Sequence, residues 1–195
     1  EHKRGYFFVQ RSTSMIPSII LQPQPTDAVL DICAAPGGKT THLAALMHNR
    51  GMIVANEPFA HRVRELLFNL ERCGILNTVV TQQFGEAITG VSFEKILLDA
   101  PCSNSGSLRG NTKKSQTIMK LWNQKRVKRF AEAQKRLITH AYALLQPKGT
   151  LVYATCSLDP EEDEAVVDYL LEKTNAVLQT IDIPLQAKDK KYMKI

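Results

Sequence analysis

The chain has 195 residues, 44% of them hydrophobic, and a formal net charge of +6, which suits one globular domain with a full core. No apolar run reaches the roughly 20 residues that span a bilayer, and Glu1-His2-Lys3-Arg4 leads into no secretory segment, so a soluble, cytoplasmic protein with no membrane contact is expected. Four cysteines without a CxxC pair are too few for a disulfide scaffold or a zinc knuckle, and fit reduced thiols with no metal site.

In chain order, 28–33 is a short apolar run read as a first strand. Helical spacing follows over 38–49, with Leu43, Leu46 and Met47. A second strand is expected over 52–56. The stretch 61–73 is amphipathic, with Val63, Leu66, Leu67 and Leu70 on one face and Gly74 as its stop. Strands three and four are expected over 78–81 and 95–99. The stretch 103–121 reads as a long, polar, basic loop, which would cover a site or grip a substrate. A long helix over 124–145 ends at Gln146-Pro147-Lys148-Gly149, and strand five follows over 150–155. Asp159-Pro160 reads as an N-cap with Pro at N1 and acids in the first turn. A sixth strand is expected over 176–181. Apolar strands alternating with helices predict an α/β fold, a mostly parallel doubly wound sheet with helices on both faces. Ligands gather at the carboxyl ends of such strands. Cys33, Asp99, Cys102 and Cys156 all fall at or just beyond those ends.

The excess charge is local. Between Arg109 and Arg136 stand ten basic residues against Glu132 alone, so this segment carries +9 and the rest of the chain −3. A solvated helix face is the ordinary meaning of such a run. One basic segment beside a thiol site points instead to a polyanionic substrate. Trp122, the single tryptophan, is read as an anchor for the long helix.

Gly37-Gly38-Lys39-Thr40-Thr41 has the shape of a P-loop ending, which raises a nucleotide triphosphatase as one alternative. That loop needs glycine where Cys33 stands, and Pro36 removes an N–H from the cradle. The other candidate is an adenosyl cofactor. Glycines after strand one let a ligand approach the backbone, and Glu57, at the end of strand two, can accept ribose hydroxyls.

Pro101-Cys102-Ser103 and Thr155-Cys156-Ser157 both follow buried strands. A thiolate added to C6 of a cytosine pushes electron density onto C5, which can then accept a methyl group. This is covalent catalysis that splits a hard step. Free cysteine, with a pKa of about 8.5, is a small fraction thiolate near neutrality, so the protein must assist the attack. A base must later take the C5 proton. Cys73 and the side chain of Cys33 are read as small buried hydrophobes.

The combination of Cys33–Lys39, Leu98–Ser103 and Ala154–Ser157, with the lead-in Tyr6–Leu21, resembles the Sun-type RNA (cytosine-5) methyltransferases over nearly the whole chain. The resemblance implies a Rossmann-like fold, S-adenosyl-L-methionine as cofactor and 5-methylcytosine formed in rRNA or tRNA. By position it makes Cys156 the nucleophile and Cys102 the residue that assists product release. Asp99 would contact the cytosine and the cofactor, and Lys39 would reach the catalytic pocket. The backbone of Cys33, Ala34, Ala35, Pro36, Gly37, Gly38 and Lys39 would bind the methionine part, and Glu57 the ribose. Structured RNA would meet the basic segment 109–136. Residues 1–195 would form one catalytic domain cut from a longer protein. The chain departs from the family at Phe84, where an Asp near the adenine is usual, at Asn104, which replaces a small residue, and at Asp163, which replaces a frequent Asn. A non-catalytic RNA-binding module of the same fold is the alternative.

Overall fold

A computed structural model describes residues 1–108 and 112–181. Five strands, β1 (Ala28–Asp31), β2 (Met52–Asn56), β3 (Thr78–Thr81), β4 (Phe93–Asp99) and β5 (Leu145–Ala154), form one sheet in the order β3-β2-β1-β4-β5. Every pairing is parallel. The strand order reverses between β1 and β4, which is the switch point where such sheets open a crevice.

The helices are α1 (Ser12–Leu21), α2 (Gly38–Leu46), α3 (Ala60–Arg72), α4 (Lys113–Leu121), α5 (Gln124–Ala143) and α6 (Glu164–Lys173). Alternation along the strands sorts them into two layers. Leu30, Ile96 and Leu98 pack with Leu137, Ile138 and Ala141 of α5 and with Val166 and Leu170 of α6. Val29, Ile53 and Leu97 point to the other face, against Leu21 of α1 and Leu43 and Ala44 of α2. Leu66 and Leu70 of α3 cover Ala34, Ala35 and Ala55 on that same side. The doubly wound α/β expectation therefore holds. None of the helices among the described residues is long and apolar enough to cross a membrane.

Local chemistry explains the element ends. Gly74 adopts φ +63° after α3, and Ile75 donates back to Leu70 across it, the left-handed cap that glycine permits. The Thr112 hydroxyl accepts from the Ser115 N–H at the start of α4, and the Asn123 amide oxygen accepts from the Arg126 N–H at the start of α5.

Several expectations need correction. The stretch 103–121 is not an open loop: a short 3-10 turn at Ser105–Ser107 and helix α4 occupy much of it. Gln146–Gly149 does not simply end α5. Those residues lie inside β5, where the pairing jumps from Phe93–Leu145 to Lys95–Thr150 and Lys148 takes φ +67°. This is a bulge that absorbs the extra residues. Asp159-Pro160 opens a turn rather than α6, which starts after Asp163, and the side chain of Asp159 is engaged elsewhere. Residues 176–181 form no strand. Helix α1 was not foreseen, because Pro17 sits inside it and proline argues against a helix interior.

Candidate active site

The carboxyl ends of β1, β2 and β4 meet at the switch point. From β1 the chain passes through Cys33–Gly37 into α2, with a cis peptide at Ala35-Pro36. Gly37 takes φ +103°, and a Cβ there would lie 3.0 Å from Leu66 Cδ1. A Cβ on Gly38 would stand 3.1 Å from the Phe8 ring and 3.2 Å from Gln10 Oε1. The bare Cα of Gly38 thus keeps open a cavity of about 150 Å³, lined by Phe8, Gln10, Ser14, residues 33–36, Gly38, Lys39 and Asp99. Lys39 Nζ donates to Asp99 Oδ2 at 2.6 Å on its wall. All of the residues read as cofactor-binding line this cavity except Gly37, which shapes the turn, and Glu57.

Glu57 is fully buried at the end of β2. One carboxylate oxygen accepts from the Phe59 N–H, and the other lies 2.9 Å from Arg62 Nη1 with no well-formed hydrogen bond. Asn56 beside it bonds the Ile32 and Gln83 carbonyls and receives Thr81 Oγ1, which locks the ends of β1, β2 and β3 together. Asp31 is also buried. Desolvation pushes its carboxyl up to about 7, against the lowering hydrogen bond from Thr40 Oγ1 at 2.8 Å. Burial, reinforced by the carboxylates of Asp31, Asp99 and Glu57, drives the Cys33 thiol upward. Cys33 is half-buried and lines the cavity, where the reading as a small hydrophobe expects it buried.

The adjacent strands β4 and β5 bring the two cysteine loops together. Asp99 pairs with Ala154, and Ala100 N–H donates to Ala154 O. Cys102 Sγ and Cys156 Sγ lie 3.1 Å apart. Cys102 is buried and Cys156 exposed. The hydrogen bond to Cys156, and then burial, push the Cys102 thiol far up.

A polar lattice under the thiols fixes both loops. The fully buried Glu162 carboxylate accepts the Ser103 N–H at 2.9 and 3.2 Å and Gln134 Nε2 at 2.9 Å, and lies 3.3 Å from Ser157 Oγ. Asp159 Oδ2 accepts the hydroxyls of Ser103, Ser105 and Ser157 and the Trp122 indole N–H. Partial burial raises the Asp159 carboxyl, but those hydrogen bonds outweigh it and hold the group below its ordinary range. The acids after Pro160 therefore do more than favour a helix start. Asn104, a departure that removed no expected group, adds one: its amide bonds Cys156 Sγ and the Cys102 carbonyl.

Trp122 joins the end of α4 to this lattice. Lys113, Lys120, Lys125, Lys128 and Arg129 are exposed. Among the described residues, the ion pairs of this segment are Lys135–Glu132 and Arg136–Glu86. Arg109 and the side chain of Lys114 lie outside the described residues. Phe84 is exposed just past β3.

The family pattern described as 16S rRNA methyltransferase RsmB/F matches residues 18–194. The chain belongs to the RsmB/F methyltransferase family. The resemblance read from the three motifs is borne out, and the nucleotide triphosphatase alternative is removed. This RsmB/F chain is 42% identical over 191 residues to the tRNA (cytosine(49)-C(5))-methyltransferase of Pyrococcus abyssi, across 97% of its own length and 60% of that protein's. It is 44% identical over 177 residues to the ribosomal RNA small subunit methyltransferase F of Vibrio campbellii, across 88% of its length and 36% of that protein's. The structure of NSun6 from Pyrococcus horikoshii with SFG matches with a TM-score of 0.81 at 35% identity, covering 88% of this chain and 43% of that one. The chain thus spans 60% or less of the length of these relatives. An S-adenosylmethionine-dependent O-methyltransferase of Thermotoga maritima shares the fold alone, at 15% identity and a TM-score of 0.60.

Proposed function

We propose that this chain is the catalytic domain of an S-adenosylmethionine-dependent RNA cytosine-5 methyltransferase acting on rRNA or tRNA. The observation that carries the reading is an exposed thiol and a buried thiol 3.1 Å apart, one strand away from a glycine-shaped cavity. The names of the relatives agree with it. Exposed basic residues on α4 and α5 suit RNA phosphates.

The residues present fit the cofactor. The cavity, kept open because Gly38 lacks a side chain, suits the methionine part, held by the backbone of 33–39 and by Lys39. Glu57, buried at the end of β2 and ion-paired with Arg62, would receive the ribose hydroxyls. S-adenosylmethionine, when bound, supplies the methyl group that an electron-rich C5 accepts.

The division of labour follows from exposure. The target base leaves its stack and meets Cys156 at the surface. The Cys156 sulfur gives up its proton to solvent water and bonds C6, and the C5=C6 electron pair moves to C5. Asp99 accepts from the N4 amino group of the base. In the resting state Cys102 is kept protonated chiefly by its bond to Cys156. Once that sulfur is tied to carbon this influence falls away; Cys102 releases its own proton to solvent water, and the resulting thiolate, or a water it orients, takes the C5 proton. The C5–H electrons restore the double bond, and Cys156 departs as thiolate.

Cys156→Ala abolishes formation of 5-methylcytosine in RNA. Cys102→Ala accumulates a protein–RNA adduct that survives a denaturing gel. Release of methylated RNA at the normal rate by Cys102→Ala would refute this division of labour. Retention of RNA binding with no transfer of labelled methyl by the unaltered chain would favour the non-catalytic module.

A further inference from the structure

We infer that Asn104 is a further catalytic residue, which touches the nucleophile and holds it aimed and protonated until the substrate arrives. The inference rests on the reading of Cys156 as that nucleophile. Asn104 Oδ1 lies 3.0 Å from Cys156 Sγ, and Asn104 Nδ2 lies 3.0 Å from the Cys102 carbonyl oxygen. One side chain therefore bridges both cysteine loops at the sulfur itself.

The direction of each bond follows from what the partners can do. A carboxamide's two ends are alike in shape, so its orientation is set by its neighbours. The Cys102 carbonyl can only accept, so the NH₂ group faces it. The oxygen is left for Cys156, and an amide oxygen can only accept. The Cys156 S–H is then the donor. With its single hydrogen spent there, the 3.1 Å contact between the sulfurs is served by the Cys102 S–H. The result is a directed chain, Cys102 S–H to Cys156 Sγ, and Cys156 S–H to Asn104 Oδ1. Removing the Cys156 proton leaves an anion facing an acceptor oxygen, so this bond favours the thiol over the thiolate. An amide oxygen is no base near neutrality, so it holds the proton in place without taking it.

The backbone supports the placement. Asn104 adopts φ +66° and ψ +21°, the left-handed region, where glycine and asparagine sit at least cost. Glycine would satisfy that backbone equally well. What asparagine adds is the amide, and the amide is spent on the exposed sulfur and its neighbouring loop.

The test compares Asn104→Gly and Asn104→Asp with the unaltered chain. Glycine keeps the backbone and removes the acceptor. Aspartate keeps the backbone and sets a negative charge beside the sulfur. The readout is the rate of iodoacetamide modification of Cys156 at one fixed pH. It is assigned by peptide mass spectrometry, and Cys156→Ala gives the background. Asn104→Gly is expected to speed modification by about three- to tenfold, the range of one ordinary hydrogen bond. Asn104→Asp is expected to slow it below the unaltered chain. A merely structural role would move both variants the same way, and any pattern but opposite shifts overturns the inference. The assay needs neither RNA nor turnover, so its failure is separate from failure of the methyltransferase reading, which the Cys156→Ala activity test decides.

Discussion

Removing Glu162 tests whether one buried carboxylate ties the two cysteine loops to the core. It is fully buried and accepts from the Ser103 N–H and Gln134 Nε2, with Ser157 Oγ alongside. In Glu162→Ala, Gln134 keeps the Pro101 carbonyl and Ser157 keeps Asp159, while the Ser103 N–H loses both of its carboxylate contacts. Hydrogen bonds to a charged group contribute about 1.5–3 kcal/mol each, and an orphaned buried donor costs about 1–3 kcal/mol. Release of the desolvated carboxylate offsets part of this, which leaves a net loss of about 3 kcal/mol. Glu162→Gln retains an oxygen for Ser103 and the volume of the site, so it loses about 1 kcal/mol. In urea, with a slope of about 1–3 kcal/mol per molar, the alanine variant unfolds at least 1 M earlier than the unaltered chain. Equal midpoints for the alanine variant and the parent, or equal losses for alanine and glutamine, would refute the reasoning.

Three other outcomes follow from the same geometry. Asp31 is raised from 3.8 to about 7 by burial, so the folded state holds a proton that the unfolded state releases. Its contribution is full below pH 4 and is lost as pH rises toward 7, by about 4 kcal/mol at most. Asp31→Asn flattens that decline in a series of urea melts, and an unchanged slope counts against the assignment. A Cβ on Gly106 would lie 2.9 Å from the Cys156 carbonyl oxygen. Gly106→Ala therefore shifts the nucleophile loop and lowers kcat by about tenfold or more with little change in cofactor KM. Glu57→Gln weakens S-adenosylmethionine binding by about tenfold or more in calorimetry, and unaltered affinity removes its ribose role.

Much of the architecture was legible because the strands carry continuous apolar runs. β2 and β3 lie where the pattern placed them, and α3 stops where Gly74 predicts. The motifs at strand ends located Lys39, Asp99, Cys102 and Cys156, since parallel topology alone brings such ends together. What stayed hidden depends on long-range partners. Glu162 reads as one more acid at a helix start, and only the folded chain shows it bonded to Ser103, 59 positions away. Phe8, Gln10 and Ser14 line the cavity, but they stand in a lead-in without hydrophobic period, and Pro17 masks the helix that follows. The bulge in β5 was missed because Pro147 and Gly149 read as a stop. Their partner, the start of β4, is remote in sequence.

The pairing of β4 with β5 carries an evolutionary consequence. The sulfurs owe their closeness first to neighbouring rungs of the sheet, Asp99 beside Ala154, and the Glu162 lattice then fixes the loops that carry them. Charge changes on the exposed faces of α4 and α5 can accumulate while the dithiol is inherited intact. A slip of one residue in β5, by contrast, would part Ala154 from Asp99 and carry the Cys156 loop away from Cys102.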